Sequence, residues 1–253
     1  LTDSAEILPG ENPQLDVLVQ NVSCFGANDG MIYTSAFGGT LPYQYSSDGG
    51  NTFVPSGTPF GPSGQASYFI TVVDALGCTD SDSIYVNEPD LLVINNIIEE
   101  NVSCYDSANG KLTVFHSGGT TPFTYSWSDP TNQSTITANN LSPGNYNVIV
   151  TDTNGCSDTS FSALITQPDS LYLSISSSLV SCYGGADGSA SLTAFGGTPN
   201  YSYLWSNGST TSSINNVPSL NYTVTVTDDN GCIRVGSVNV TQPQPISNIF
   251  IRD

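Results

Sequence analysis

A segment of eleven residues that ends in cysteine occurs three times and constrains the fold more than any other feature. The three copies lie at 68–78, 146–156 and 222–232. Each begins with Tyr, and Asp lies four residues before the Cys, with Gly directly before it. In the third copy Tyr222, Val224 and Val226 alternate with threonines, the period-two pattern of a strand with one buried face. The following Asp228-Asp-Asn-Gly predicts a hairpin turn, so we expect Asp228 to form the turn.

The spacing of the first cysteines predicts three tandem repeats, because 80 residues separate Cys24 from Cys104 and 78 separate Cys104 from Cys182. Prolines at 13, 89, 168 and 243 each precede an alternating apolar segment and set the boundaries. The predicted division is 1–12 (end of a preceding repeat), 13–88 (repeat 1), 89–167 (repeat 2), 168–242 (repeat 3) and 243–253 (start of a following repeat). Short proline linkers are stiff, which favours an elongated rod.

The order of motifs within each repeat predicts the fold class. Gly-Gly-Thr begins 14 residues after each first cysteine, at Gly38, Gly118 and Gly196, and indicates a bulge or tight corner. An aromatic strand follows, and Ser47 of repeat 1 stands where the other repeats have Trp127 and Trp205, so we expect Phe53 or Phe60 to fill that space. About seven short strands with frequent turns predict an all-β chain of tandem immunoglobulin-like β-sandwiches with very little helix.

The six cysteines predict disulfides, and 15 pairings are possible in principle. One pair per repeat favours Cys24–Cys78, Cys104–Cys156 and Cys182–Cys232. Each would close a loop of about 50 residues, contribute roughly 4 kcal/mol and imply an oxidising, extracytoplasmic compartment. Three reduced, buried pairs are the alternative. Zinc is disfavoured because the sequence has no Cys-x-x-Cys pair and His116 is its only histidine.

The charge of the chain limits its partners. It has 22 acidic and 3 basic residues, for a net charge of −19, which excludes nucleic acid and disfavours anionic membranes. The same charge favours cations, while 38% hydrophobic content favours a folded chain. The sequence has neither a signal peptide nor an apolar run of the ~18 residues that span a membrane. We therefore expect a processed piece of a longer secreted protein.

Four ordered motifs resemble a known family. They are Cys-x-Gly-x-x-Asp-Gly at 182–188, Gly-Gly-Thr-Pro at 196–199, Tyr-x-Tyr-x-Trp-Ser-Asn-Gly at 201–208, and the opening motif at 222–232. Together they resemble the SprB repeat of very large cell-surface adhesins of gliding Bacteroidota, over nearly the whole chain. Repeat 2 departs from the pattern at Asp106 and Asn109.

The resemblance implies where such a chain acts. It implies type IX secretion, tethering at the outer membrane, movement by the gliding machinery, and an extracellular filament that grips a substratum or polysaccharide. Four Asp-Ser-x tripeptides are similar to the periplasmic O-glycosylation motif of Bacteroidota. The candidate serines are Ser4, Ser83, Ser107 and Ser170.

Other candidate sites have simpler structural explanations. Calcium needs six to eight oxygens, and the turn carboxylates that could contribute are Asp29, Asp74, Asp152, Asp187 and Asp228. Junction acids that offer another location are Glu88, Asp90, Glu99, Glu100 and Asp169. The simpler interpretation of each turn Asp is that its side chain accepts hydrogen bonds from its own turn. His116 is interpreted as an ordinary strand residue, and both Trp residues as part of the core.

The sequence therefore predicts a non-catalytic, structural and adhesive repeat segment of a surface filament. Its partners are neighbouring repeats, and no cofactor is needed beyond a candidate calcium ion. No nucleophile-base set or phosphate-binding loop supports an enzyme. The alternatives are a carbohydrate-binding module, using exposed aromatics or the 46–64 loop, and an accessory segment of a secreted hydrolase.

Overall fold

The computed structural model describes residues 12–246, and every regular element in this range is a β-strand. Repeat 1 contains β1 (Gln14–Gln20), β2 (Gly30–Phe37), β3 (Gln44–Ser46), β4 (Val54–Pro55), β5 (Phe60–Ser63), β6 (Ala66–Val73) and β7 (Thr79–Val86). Repeat 2 contains β8 (Val93–Glu100), β9 (Gly110–Ser117), β10 (Thr124–Trp127), β11 (Thr137–Leu141), β12 (Gly144–Tyr146), β13 (Val148–Thr151), β14 (Ser157–Thr159) and β15 (Ala163–Ile165). Repeat 3 contains β16 (Tyr172–Ser178), β17 (Gly188–Phe195), β18 (Ser202–Trp205), β19 (Ser213–Val217), β20 (Asn221–Thr227) and β21 (Ile233–Asn239). Over 12–246 no helix is long and apolar enough to cross a membrane.

The described residues divide into two compact units. The first comprises 12–96, 114–126 and 148–160, and the second comprises 97–113, 127–147 and 161–246. Each unit contains one whole repeat and part of repeat 2. The predicted boundaries at 89 and 168 fall between strands, and as domain limits they stay predictions.

Repeat 3 is a two-layer antiparallel sandwich. One sheet has the order β16-β17-β19 and the other β18-β20-β21. In immunoglobulin lettering these are strands A-B-E and C-F-G, which is the immunoglobulin-like topology. Buried apolar side chains from both sheets form one core, and its four largest members are Trp205, Tyr222, Leu192 and Ile214. The alternation predicted for 222–226 is confirmed, since Tyr222, Val224 and Val226 are buried.

The other repeats keep this strand order. In repeat 1 the sheets are β1-β2-β5 and β4-β3-β6-β7, and in repeat 2 they are β11-β9-β8 and β10-β13-β14. A further pair, β12-β15, continues strands F and G of repeat 2 beyond an interruption at Asn147. There the backbone N–H groups of Asn147 and Val148 donate to the hydroxyls of Ser128 and Ser160 instead of to a backbone carbonyl. The all-β, immunoglobulin-like prediction is confirmed.

Both tryptophans belong to the core, as predicted. Trp127 and Trp205 are each 1% exposed. Their indole N–H groups donate to the backbone oxygens of Thr135 and Thr211, both at 2.8 Å. Stacking on a sugar therefore has no support from these residues. In repeat 1 Phe60 packs against the core cluster, whereas Phe53 is exposed.

The tyrosine that opens each repeated motif has a second role that the sequence analysis missed. Its hydroxyl donates to a backbone oxygen four residues earlier: Tyr68 to Gly64 at 3.2 Å, Tyr146 to Ser142 at 2.9 Å, and Tyr222 to Pro218 at 3.1 Å. This is the tyrosine corner of immunoglobulin-like folds, which fixes the connection between strands E and F.

We expect Tyr222→Phe to lower the free energy of unfolding by about 1 kcal/mol, because the hydroxyl is lost while the ring still fills the core. Urea denaturation of the whole chain measures the change. Tyr203→Phe is the matched control, since the Tyr203 hydroxyl has no protein partner among residues 12–246. Equal effects of the two substitutions would contradict a specific role for the corner.

Candidate functional site: the crosslinked junctions between repeats

The Val-Ser-Cys loop between strands A and B makes equivalent backbone hydrogen bonds in all three repeats. The Val side chain is buried, and its N–H donates to a backbone oxygen just after strand G of the same repeat. These pairs are Val22 to Asn87 (2.9 Å), Val102 to Thr166 (3.2 Å) and Val180 to Thr241 (2.8 Å). A side chain at the repeat's end accepts a further loop N–H. The acceptors are Glu88, Gln167 and Gln242. The end of strand G thus fixes the loop that carries the first cysteine.

A carboxylate or amide side chain five residues after the cysteine fixes the serine of this loop. Asp29 accepts the Ser23 N–H at 2.9 Å and hydroxyl at 2.5 Å, and Asp187 accepts the Ser181 N–H at 3.0 Å. These serine hydrogen bonds lower the pKa of Asp29 and of Asp187. In repeat 2 Asn109 accepts the Ser103 N–H at 3.1 Å, so the departure of this repeat from the family pattern preserves the geometry.

The turn between strands F and G carries the second cysteine and is built on one buried Asp. In repeat 3 the Asp228 side chain accepts three backbone N–H groups, from Thr198 (2.8 Å), Asn230 (3.0 Å) and Cys232 (2.8 Å). Asp74 and Asp152 make the equivalent three bonds in repeats 1 and 2. The prediction that this Asp forms the turn is confirmed, and the carboxylate also ties the turn to the Gly-Gly-Thr corner.

The double glycine is required at that corner because the chain is in the left-handed region and the carboxylate lies close. Gly196 and Gly197 have φ of 69° and 60°. A Cβ on Gly197 would lie 2.5 Å from the Asp228 Oδ2 atom. Glycine therefore allows the Asp of the F–G turn to reach the corner after strand B.

The pKa of Asp74 lies below its ordinary value of 3.8. Burial alone would raise this pKa, but the backbone N–H groups of Thr40, Cys78 and Leu76 stabilise the charged form and outweigh burial. The ionised carboxylate therefore adds stability that is full above the unfolded-state pKa and is lost as the pH falls through the folded-state pKa.

We expect the free energy of unfolding of the wild-type chain to fall as the pH is lowered from 5 towards 2, and Asp74→Asn to flatten this dependence. Urea denaturation at several pH values measures both curves. The exposed Asp82→Asn is the matched control. A curve of Asp74→Asn parallel to wild type across that range would contradict the role of this carboxylate.

The two kinds of cysteine segment meet between consecutive repeats. Cys24 of repeat 1 is bonded to Cys156 of repeat 2, and Cys104 of repeat 2 to Cys232 of repeat 3, both with Cα–Cα distances of 5.7 Å. Cys78 and Cys182 are free thiols. The predicted pairs Cys24–Cys78, Cys104–Cys156 and Cys182–Cys232 were therefore wrong, although cysteines of the chain do form disulfides.

The reason lies in where the sandwich places its loops. In repeat 3 Cys182 precedes strand β17, whereas Cys232 lies beside the corner that follows β17, where Thr198 contacts Asp228. An extended strand of the eight residues of β17 spans about 25 Å, and a disulfide needs Cα atoms within about 7 Å. The same argument separates Cys24 from Cys78 across β2. Two cysteines of one repeat cannot pair.

An asparagine adds a direct hydrogen bond at each crosslinked junction. The Asn154 side-chain amide donates to the Ser23 backbone oxygen at 3.0 Å, and that of Asn230 donates to the Ser103 oxygen at 3.1 Å. In these two turns only the glycines, Gly155 and Gly231, have positive φ, so the turn does not need asparagine for its backbone conformation. The asparagine is a junction residue, and repeat 1 has Leu76 in its place.

The remaining predicted residues do not converge on a second site. His116 lies in a strand with its Nε2 atom 3.0 Å from the Tyr125 hydroxyl. Within 12–246, no group of three or more His, Cys, Asp or Glu is placed to hold a metal ion. Of the glycosylation candidates, Ser83 and Ser170 are exposed and Ser107 is half-buried, while Ser4 lies outside the described residues.

Structural calcium is a candidate that the structure leaves untested, and the thermal midpoint with and without EDTA tests it. We expect an unchanged midpoint, because backbone N–H groups already surround the turn carboxylates such as Asp152 and Asp228. A midpoint that falls in EDTA and recovers with added calcium would show that the chain binds the ion.

Strand order and crosslinks together define a class: immunoglobulin-like sandwiches in tandem, with disulfides between consecutive repeats. The sequence profile of the SprB repeat matches this chain three times, at residues 18–52, 97–132 and 175–210. The chain therefore contains three tandem matches to the SprB repeat, one in each of the three repeats that the motifs predicted.

Comparisons with individual proteins are less informative than the match to the repeat profile. No curated protein sequence is significantly similar to this chain. Similar solved structures include the N-terminal eight Ig domains of DSCAM isoform 1.30.30 (TM-score 0.37, 13% identity, 92% of this chain). Others are Drosophila OTK extracellular domains 3–5 (0.30, 11%, 92% of this chain and 93% of that one) and chicken CNTN1 FN1–FN3 (0.22, 13%, 92% and 99%). This chain spans 37% of the DSCAM fragment. The fold assignment here rests on strand order.

Proposed function

We propose that this chain is a structural, non-catalytic segment of an adhesive cell-surface filament, in which mechanical load passes between repeats through disulfides. The observation that carries the proposal is the pair of bridges Cys24–Cys156 and Cys104–Cys232, each of which joins consecutive repeats. A bridge within a repeat would strengthen only that repeat. A bridge between repeats also prevents neighbours from separating when the chain is pulled.

Chemistry and family together support a location for the filament. Disulfides persist in oxidising, extracytoplasmic compartments, which supports a position on the cell surface. SprB repeats support secretion by the type IX system, association with the outer membrane and a part in gliding. The net charge of −19 keeps such a filament soluble and disfavours non-specific adhesion to anionic surfaces. A neutral polysaccharide or another substratum component is the partner that fits.

Single-molecule stretching of the whole chain tests the mechanical role. Under oxidising conditions the residues inside the bridged loops, 132 and 128 residues in sequence separation, cannot fully extend. Reduction should lengthen the unfolded chain by at least the contribution of one loop, on the order of 400 Å. The Cys78→Ser/Cys182→Ser variant is the control and should behave as wild type. Equal lengths with and without reductant would overturn the proposal.

A further inference from the structure

The two free thiols lie on complementary halves of a junction that the chain already forms twice. Cys182 lies in a Val-Ser-Cys loop, the half that supplies Cys24 and Cys104 at the crosslinked junctions. Cys78 lies in an F–G turn, the half that supplies Cys156 and Cys232. Each half in the crosslinked junctions is bonded to the other kind and never to its own.

Both free halves already have the conformation of their bonded counterparts. In the loop of Cys182 the Ser181 N–H donates to Asp187 and the Gly185 N–H to the Cys182 oxygen, as in the bonded loops. In the turn of Cys78 the side chain of Asp74 accepts the same three backbone N–H groups as Asp228. Pairing therefore requires no refolding of either half.

The free loop also has the exposure expected of an unoccupied junction. Ser23, Cys24, Ser103 and Cys104 are half-buried where their loops meet a partner turn, whereas Ser181 and Cys182 are exposed. Large apolar side chains flank both free thiols: Leu179 and Tyr183 at one end are 61% and 60% exposed, and Leu76 at the other is 73% exposed. The two ends thus present apolar and thiol-bearing surfaces together.

We propose that copies of this chain join head to tail through a disulfide between Cys182 of one copy and Cys78 of the next. Each free half binds the complementary half of another repeat of this kind, and a second copy of this chain supplies it. Because the two faces differ, the contact is heterologous and repeats without closing, which gives linear polymers. This pairing does not depend on the adhesive role.

The bond forms by thiol–disulfide exchange with a small-molecule disulfide, such as oxidised glutathione, as the oxidant. The thiolate of one cysteine displaces glutathione to give a mixed disulfide, and the thiolate of the other copy then displaces the second glutathione. Two protein thiols are oxidised and one glutathione disulfide is reduced to two thiols. Since both chains are acidic, screening by salt should speed the encounter.

The test uses the whole chain of residues 1–253 with oxidised glutathione, followed by non-reducing electrophoresis and light scattering. Wild type should form a ladder of dimers, trimers and longer species. Cys78→Ser and Cys182→Ser should each stay monomeric alone and form a dimer, and nothing longer, when mixed. Peptide mapping of that dimer should find Cys182 joined to Cys78. Cys78→Ser/Cys182→Ser is the control for folding and should retain the wild-type melting curve.

Three results would overturn the proposal. Dimers of either single variant alone, formed as fast as in the mixture, would show non-selective thiol chemistry. A monomeric wild type with Cys78 bonded to Cys182 of the same chain would show an internal bridge. A monomeric wild type that keeps both thiols free, while the internal bridges form, would show that the two faces do not bind.

Leu76→Asn gives an independent readout. Asn154 and Asn230 each donate to a serine oxygen of the partner loop and to a threonine hydroxyl of their own corner, and Thr40 offers that second acceptor in repeat 1. We expect Leu76→Asn to accelerate dimer formation in the mixture by roughly three- to tenfold, the effect of one added hydrogen bond. No acceleration, or a slower reaction, would contradict a contact built like the crosslinked junctions.

Discussion

Replacing Cys24 and Cys156 by serine is expected to lower the free energy of unfolding by about 5 kcal/mol. The bridge closes a loop with a sequence separation of 132 residues, and cross-linking a loop of this length removes a large conformational entropy from the unfolded chain. Half-buried Ser23 would also lose the contact that its carbonyl makes with the Asn154 side chain if the two repeats separate. Thermal and urea denaturation under oxidising conditions measure the loss.

The matched control for this variant is Cys78→Ser/Cys182→Ser, which changes the same number of cysteines but removes no bridge within the chain. We expect it to leave the stability of the monomer within about 0.5 kcal/mol of wild type. A loss from the control as large as that from Cys24→Ser/Cys156→Ser would contradict the connectivity, because the predicted pairs within repeats would then be present.

Asp228→Ala is expected to lower the free energy of unfolding by about 3 kcal/mol. The side chain is 5% exposed and accepts the N–H groups of Thr198, Asn230 and Cys232, so its removal leaves three donors without an acceptor. Amide hydrogen exchange should show faster exchange at these three residues. The loss extends to the junction because the same turn carries Asn230 and Cys232.

Asp229→Ala is the control for Asp228→Ala, since Asp229 is the exposed neighbour in the same turn. We expect it to change the free energy of unfolding by less than about 0.5 kcal/mol and to leave exchange at Thr198 unchanged. A neutral effect of Asp228→Ala would show that water replaces the carboxylate, which would contradict its part in building the turn.

Local patterns in the sequence were sufficient to predict the fold. Alternation at Tyr222, Val224 and Val226, the double glycine at the corner and the Trp of strand C each express a local constraint of geometry or burial, and the structure shows all three. The turn role of Asp228 was predictable for the same reason. The tyrosine corner was also predictable, because it follows from a Tyr at the start of strand F.

The junctions were not predicted because they depend on which end of the sandwich each loop occupies. The A–B loop precedes strand B, whereas the F–G turn lies beside the corner that follows strand B, where Asp228 accepts the Thr198 N–H. The two loops therefore lie at opposite ends of one repeat. The regular spacing of Cys24 and Cys78 does not reveal these positions. A tandem array has the same cysteine spacing whether the disulfides form within repeats or between them.

The position of the asparagine illustrates the same limit. Asn230 stands in an Asp-x-Asn-Gly turn, and local reasoning assigns it a backbone role. Its side chain instead donates to Ser103 of the preceding repeat, which is 127 residues away in sequence. The one signal in the sequence was Leu76, which replaces the asparagine in repeat 1. The turn of Asp74 forms equally well with leucine there, so the turn itself does not require asparagine.

Disulfide mapping of the oxidised chain distinguishes bridges between consecutive repeats from bridges within one repeat. Free thiols are blocked, the protein is digested without reductant, and the crosslinked peptides are identified by mass spectrometry. We expect peptides that join Cys24 to Cys156 and Cys104 to Cys232, with Cys78 and Cys182 blocked in the monomer. A set of peptides that joins the two cysteines of each repeat is the alternative outcome. Those peptides, which join Cys24 to Cys78, Cys104 to Cys156 and Cys182 to Cys232, would contradict bridges between consecutive repeats.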